Sequence, residues 1–175
     1  MNNSIYLKVD SVTGEAKDEQ HVGWIDVQHF RWRITQPTEN SVGGGGGIGK
    51  AVVREMEVLA RIDKAMPTMM KKCVEGTHLS AVTLGLRKAA ESSEDYLLIK
   101  MQEVMLSAVE IAPHGDTGAL EGQAVAPGAM AVLYRFSPSV VGVTCGEQLN
   151  TGALSAKVEF GWDVKKNAAA EVKFK

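Results

Sequence analysis

The sequence predicts a mainly β protein: an antiparallel β-barrel or two packed sheets, with one short flanking α-helix and a long glycine-rich loop. Apolar and polar residues alternate in about seven separate stretches, the period of a half-buried strand. One stretch, residues 67–75, carries a clear helical stripe instead. Strands and helices do not alternate regularly, so no βαβ unit or parallel sheet is implied.

Residues 4–9 read as a first strand, with Ile5, Leu7 and Val9 on one face. Residues 11–19 are polar around Gly14 and read as a surface loop. Residues 23–34 form a long second strand. Ile25 and Val27 share one face, whereas Phe30, Trp32 and Ile34 share the other. A phase flip near Gln28 and His29 predicts a bulge or bend, a feature of barrel strands. Residues 51–62 fit a strand and a helix equally well. For residues 67–75, Pro67 suits a first turn and Gly76 the position past the end. Met66, Met69, Met70 and Cys73 fall on one helical face, predicted to be buried. Val82, Leu84 and Leu86 mark another strand. Leu97, Ile99 and Met101 begin a long one over residues 95–111, joined to it by a hairpin-like turn at residues 91–94. Residues 113–128 hold four glycines and two prolines and read as a mobile loop. Met130, Val132, Tyr134 and Phe136 alternate; Pro138 interrupts, and Val141 and Val143 resume. Residues 145–152 read as a turn. Val158, Phe160, Trp162 and Val164 form the cleanest alternation and predict one buried face. Residues 167–175 read as a loose tail of a single domain spanning residues 1–175.

The charge balance excludes some classes of partner. Lys plus Arg number 19 and Asp plus Glu 21, a net charge of −2. This gives no basic field for nucleic acid or an anionic membrane surface. No apolar run reaches the ~20 residues of a membrane helix, so membrane insertion is not expected. Residues 1–4 lead directly into a strand-like segment, so no cleavable signal peptide is read. The two cysteines, Cys73 and Cys145, are too few for a disulfide framework and read as small buried hydrophobes.

The glycine-rich run invites a chemical reading. Gly44-x4-Gly49-Lys50 approaches the phosphate-binding loop, and Gly44-x-Gly46-x-x-Gly49 matches a dinucleotide fingerprint. The first needs a hydroxyl after the lysine to hold magnesium, and Ala51 stands there. The second needs an acidic residue about 20 positions on; Asp63 is too near and Glu75 lies on the helix. His21, His29, His78 and His114 show no metal-site spacing. Cys73 and His78 straddle a helix end, where a core cysteine is the simpler reading. Asp18, Glu19, Glu94 and Asp95 read as solvated turn charges. The three tryptophans, Trp24, Trp32 and Trp162, are placed in strands that pack the core or an interface. No catalytic site assembles, and no cofactor or metal is expected.

Several of these stretches together resemble the haemolysin-coregulated protein (Hcp) family of bacterial type VI secretion. They are Ile5-Tyr6-Leu7-Lys8-Val9; Val12-Thr13-Gly14-Glu15-Ala16-Lys17-Asp18; Ile25-Asp26-Val27 running to Trp32; and residues 43–50. Ile62-Asp63-Lys64, Pro67, Met69-Met70-Lys71-Lys72-Cys73, Gly76 and His78 continue the likeness. Leu84 to Lys88, Tyr96-Leu97-Leu98-Ile99, Glu103-Val104 and Phe160-Gly161-Trp162 extend it. Residues 113–128, Pro138 to Val141 and the tail after Asn167 depart from the pattern.

The resemblance implies an antiparallel β-barrel with one flanking helix, assembled as a homohexameric ring. Rings stack into a tube that leaves the bacterial cytoplasm by type VI secretion, carries effector proteins, and meets sheath and spike proteins. It implies that residues 51–62 are strand. It also makes residues 36–50 an arm between stacked rings, carried by Thr38, Gly43, Gly44, Gly45, Gly46, Gly47, Gly49 and Lys50. Two other functions compete with this structural role: a stand-alone secreted binding module, and a nucleotide-binding enzyme built on the glycine run.

Overall fold

The computed structural model describes residues 3–37, 49–88, 94–113, 130–147, 149 and 154–174. Its elements are β1 (Asn3–Val9), β2 (Ile25–Arg31), β3 (Ile34–Thr35), β4 (Val52–Val53), β5 (Met56–Ala60), α1 (Ala65–Glu75), β6 (Leu79–Lys88), β7 (Leu97–Pro113), β8 (Met130–Ser137), β9 (Val140–Cys145), β10 (Val158–Asp163) and β11 (Ala168–Ala169). The hairpin-like turn, apart from Glu94, lies outside the described residues. So do residues 114–128 of the predicted mobile loop and half of the predicted turn at 145–152.

Among the described residues every strand pairing is antiparallel. Strands β7, β6, β1, β2, β5 and β8 follow one another, and β8 pairs back onto β7 to close a barrel. Its interior is the alternating apolar set read from the sequence: Leu7, Ile25, Val58, Val82, Leu84, Met101, Tyr134 and Phe136 are all buried. Each such side chain contributes about 1.5–3 kcal/mol by leaving water.

The phase flip in β2 is a bulge, as predicted. The β2–β5 register passes from Val27 opposite Ala60 to His29 opposite Leu59. Gln28 is the extra residue, so Phe30 and Trp32 turn to the same core as Ile25 and Val27. Residues 51–62 supply β4 and β5, strand rather than helix. Met56, Val58, Leu59 and Ala60 are all buried, and this burial of both faces of β5 blurred the period.

The helix begins two residues before Pro67. Ala65 and Met69 are fully buried in the barrel core, with Met66 and Cys73 packed at its margin. Gly76 ends it in the left-handed region (φ 63°), with its N–H bonded to Cys73 O and that of Thr77 to Lys72 O. This cap favours glycine because a Cβ there is strained.

The longest strand, β7, is shared. Ser137 pairs with Met105 and Val140 with Gln102, so β8 and β9 run along one edge of β7 in continuous register across Pro138. At the break the Ser139 N–H bonds Gln102 O and its Oγ bonds Glu103 O, while Ser139 O accepts the N–H of Val164. Glu103 takes a positive φ of 49° opposite this point. Beyond the break β8 joins the barrel, while β9, β10 and β11 extend the sheet outward as a wing.

Two expectations are corrected here. The β10 alternation does not bury a whole face: Val158 is 77% and Phe160 43% exposed, and only Trp162 packs against the core. The outer strand of a wing has core beneath it only near its root. The tail is not loose over residues 167–174. Its β11 pairs with Trp162 and Asp163, Val172 is buried, and Lys100 Nζ donates to Lys173 O at 2.6 Å.

Candidate assembly surface

Of the predicted arm residues, Thr38, Gly43, Gly44, Gly45, Gly46 and Gly47 lie outside the described residues. Gly49 and Lys50 are described and exposed. The two ends of the segment are brought together by a small ribbon apart from the barrel sheet. Ile34 pairs with Val53 and Thr35 with Val52, and the Arg54 N–H bonds Arg33 O at 2.9 Å. Gln36 Nε2 donates to Gly49 O at the top of this ribbon. At its foot Trp32, Arg33, Arg54 and Glu55 line a cleft with Arg31 and Glu57. Trp32 Nε1 donates to Arg54 O at 3.0 Å. The Glu57 carboxylate receives Arg31 Nε at 2.8 Å and Arg135 Nε at 3.1 Å, a cross-strand ladder over β2, β5 and β8.

The wing presents an apolar strip. Register places Ile99, Val143 and Phe160 in one row and Leu97, Cys145 and Val158 in the next. Ile99 is in the core, Val143 is half-buried and Phe160 is exposed, so the apolar face of the sheet runs from the barrel interior into solvent. Such a strip is a candidate interface. Cys145 is exposed on it and Cys73 is only half-buried; both thiols are free. This corrects the expectation that both cysteines are buried, and for Cys145 the position on the outer wing explains it.

The opposite wing face is covered by the tail. Gly142 and Gly161 stand opposite each other in the β9–β10 register. A Cβ on Gly142 would lie 2.6 Å from Val172 Cβ, and one on Gly161 would collide with Ala170 O. The notch is open because neither residue has a side chain.

Sequence reading missed a cluster at residues 18, 21, 87 and 95. His21 is buried, with Nδ1 2.7 Å from Asp18 Oδ1 and Nε2 2.9 Å from Asp95 Oδ2. Arg87 binds the other oxygen of Asp18. Asp18 and Asp95 are therefore structural partners rather than solvated turn charges. Burial opposes the charge on His21, but hydrogen bonds from its ring to Asp95 and Asp18 outweigh it and raise its pKa. Burial likewise opposes the charge on Asp18, and His21, the Gln20 N–H and Arg87 outweigh it to lower its pKa. The spacing of 74 residues from His21 to Asp95 leaves no local signal.

His29 sits at the β2 bulge and His78 is exposed beyond the helix cap. Trp24 and Trp32 lie just outside the two ends of β2 rather than standing in a strand, and Trp24 edges against His21. Among the described residues no group of three or more His, Cys, Asp or Glu side chains is arranged to hold a metal. No helix among them is long and apolar enough to cross a membrane.

The family described as "Type VI secretion system effector, Hcp" matches residues 6–133. The chain is 32% identical over 168 residues to "Protein hcp1" of Pseudomonas aeruginosa, covering 95% of this chain and 98% of that one. The fold is similar to a solved "type six secretion system protein", with TM-score 0.84, 23% identity, and coverage of 97% and 100%. It is also similar to Hcp1 from Salmonella typhimurium, with TM-score 0.75, 26% identity, and the same coverage of each chain. With the closed barrel, the one helix among the described residues, the family match over residues 6–133 and a relative matched over 95% of this chain, the chain belongs to the Hcp family of type VI secretion proteins.

Proposed function

We propose that this chain is a structural subunit of the type VI secretion tube rather than an enzyme. Six copies close into a ring, and rings stack through the arm at residues 36–50. The tube, made in the bacterial cytoplasm, is exported with effector proteins in its lumen and works against sheath and spike proteins. The observation that carries this reading is the apolar strip that runs from buried Ile99 through half-buried Val143 to Phe160 and Val158, which are open to solvent, on a chain of this family. A neighbouring copy removes that strip from water, and a ring needs one such heterologous contact per subunit. The paired ribbon of β3 and β4 suits an arm that projects from the barrel without disturbing its strands.

Native mass spectrometry tests the ring. The expected particle is six copies of the 18.8 kDa chain. Phe160→Lys should give a folded monomer, because it places a charge in the strip without touching the core. A wild-type monomer, or a Phe160→Lys hexamer, removes the strip from the ring contact. Replacing residues 38–49 by a short turn should leave the ring mass unchanged and abolish tube growth and export. A variant that still stacks and is exported removes the arm from stacking.

A further inference from the structure

His21 is 2% exposed, yet both its ring nitrogens end on carboxylates. A neutral imidazole has one N–H and satisfies one carboxylate; its other nitrogen would turn a lone pair toward the second. The imidazolium donates to both. The two acceptors come from distant places: Asp18 from the same β1–β2 connection, and Asp95 from the residues leading into β7.

The groups packed around the ring come from three elements. From β1, Tyr6 stacks on the imidazole with centroids 4.2 Å apart. Trp24 meets its edge at 4.7 Å, and Lys8 of β1 stands 5.9 Å from the Trp24 ring. From β6, Arg87 neutralises part of Asp18, and Gly85 leaves the space Asp95 occupies, since a Cβ there would be 2.6 Å from Asp95 Oδ2. Lys88 of β6 lies 5.5 Å from the Tyr96 ring, beside Asp95. The charges nearest the imidazole are thus two carboxylates, one of them shared with a guanidinium.

We propose that His21 is a proton-operated latch that fastens the β1–β2 connection, residues 10–24, to β6 and the start of β7. It is closed while the imidazolium bridges Asp18 and Asp95 and opens on deprotonation. The connection is otherwise tied mainly by its own backbone bonds, Gly14 N–H to Gly23 O, Gly23 N–H to Ala16 O and Ala16 N–H to Trp24 O. Asp10 N–H to Ala81 O at 3.1 Å and Ser80 Oγ to Asp10 Oδ2 at 2.6 Å hold its first residue to β6, and Glu15 N–H to Asp63 Oδ2 at 3.2 Å holds it beside α1. Opening therefore removes the tie of residues 11–24 to the start of β7, leaves the Arg87–Asp18 pair as their side-chain tie to β6, and leaves the barrel paired.

The direction with pH follows from the linkage. His21 has a raised pKa in the fold, so its contribution is complete below the ordinary value of 6.5 and is lost as pH rises through the folded value. Asp18 has a lowered pKa, so its contribution is present above 3.8 and is lost as pH falls through the folded value. The latch is closed between these limits.

The experiment is an NMR titration of the His21 ring in the full chain, with amide hydrogen exchange corrected for intrinsic rate. Mass is measured at each pH, so that loop opening is separated from loss of assembly. The expected result is a His21 titration above 6.5, with protection of residues 11–24 falling about tenfold per pH unit between that ordinary value and the folded one, then levelling off. Protection of Val82 and Leu84 in β6 should stay constant. Asp95→Asn should shift both the titration and loop opening to lower pH. A His21 titration at or below the ordinary value overturns the latch, as does loop protection indifferent to pH. Should Asp95→Asn fail to fold, the wild-type titration and exchange decide alone.

Discussion

Val172 occupies the space that a side chain on Gly142 would fill, so the tail and the wing are complementary down to a single missing Cβ. Gly142→Val should drive the tail off this face and cost about 1–3 kcal/mol, the range for overpacking a fitted site. Limited proteolysis should then cut within residues 165–174 while the barrel resists. A tail that stays protected in the variant would show that the notch is not what holds it.

Trp162 and Phe160 lie on the same face of β10 but differ in support. Trp162→Ala should lower stability by somewhat less than the ~3–5 kcal/mol of a full core truncation, because it is half-buried. Phe160→Ala should stay within ~0.5 kcal/mol in the monomer, as for an exposed residue. Urea denaturation of a monomeric background separates the two. Equal losses would mean that Phe160 packs against the core after all.

Tyr134 is fully buried and its hydroxyl has no hydrogen-bond partner among the described residues. Burial, reinforced by the charge of Asp63, pushes its ionisation far above the usual tyrosine range. Tyr134→Phe should therefore raise stability by about 1 kcal/mol, because it removes an unsatisfied polar group without changing shape. A lower melting temperature would reveal a partner for that hydroxyl.

Gly76→Ala should cost about 1 kcal/mol, since the helix ends there at φ 63° and L-residues are strained in that region. Thermal unfolding measures it. No change would mean that the helix frays before its cap.

The barrel was legible because its strands alternate in period 2 and its one helix carries a stripe with a glycine stop. Even the β2 bulge shows as a change of phase between Val27 and Phe30. What escaped is what depends on position in space. The β10 alternation is as regular as that of any core strand, but Val158 stands too far out on the wing for its face to meet the interior. The tail looks loose because its anchor is two glycines elsewhere in the chain. His21, Asp18, Arg87 and Asp95 meet only when β1, β6 and β7 come together, and each looks like an ordinary surface residue on its own. The glycine run at residues 43–47 is conspicuous in the sequence, and the described residues supply only the ribbon at its foot.

The register shared by β8 and β9 also limits how the gene can vary. Ser137 opposite Met105 and Val140 opposite Gln102 fix the number of residues between them. Deleting one residue at Pro138 would keep β8 in the barrel wall and slip the wing by one position. In a structure of period 2 that turns each wing side chain to the other side. Val141 and Trp162 would leave the interior, and the glycine notch would face it. Along this stretch lineages can exchange residue types with modest penalty, but insertions and deletions should be purged.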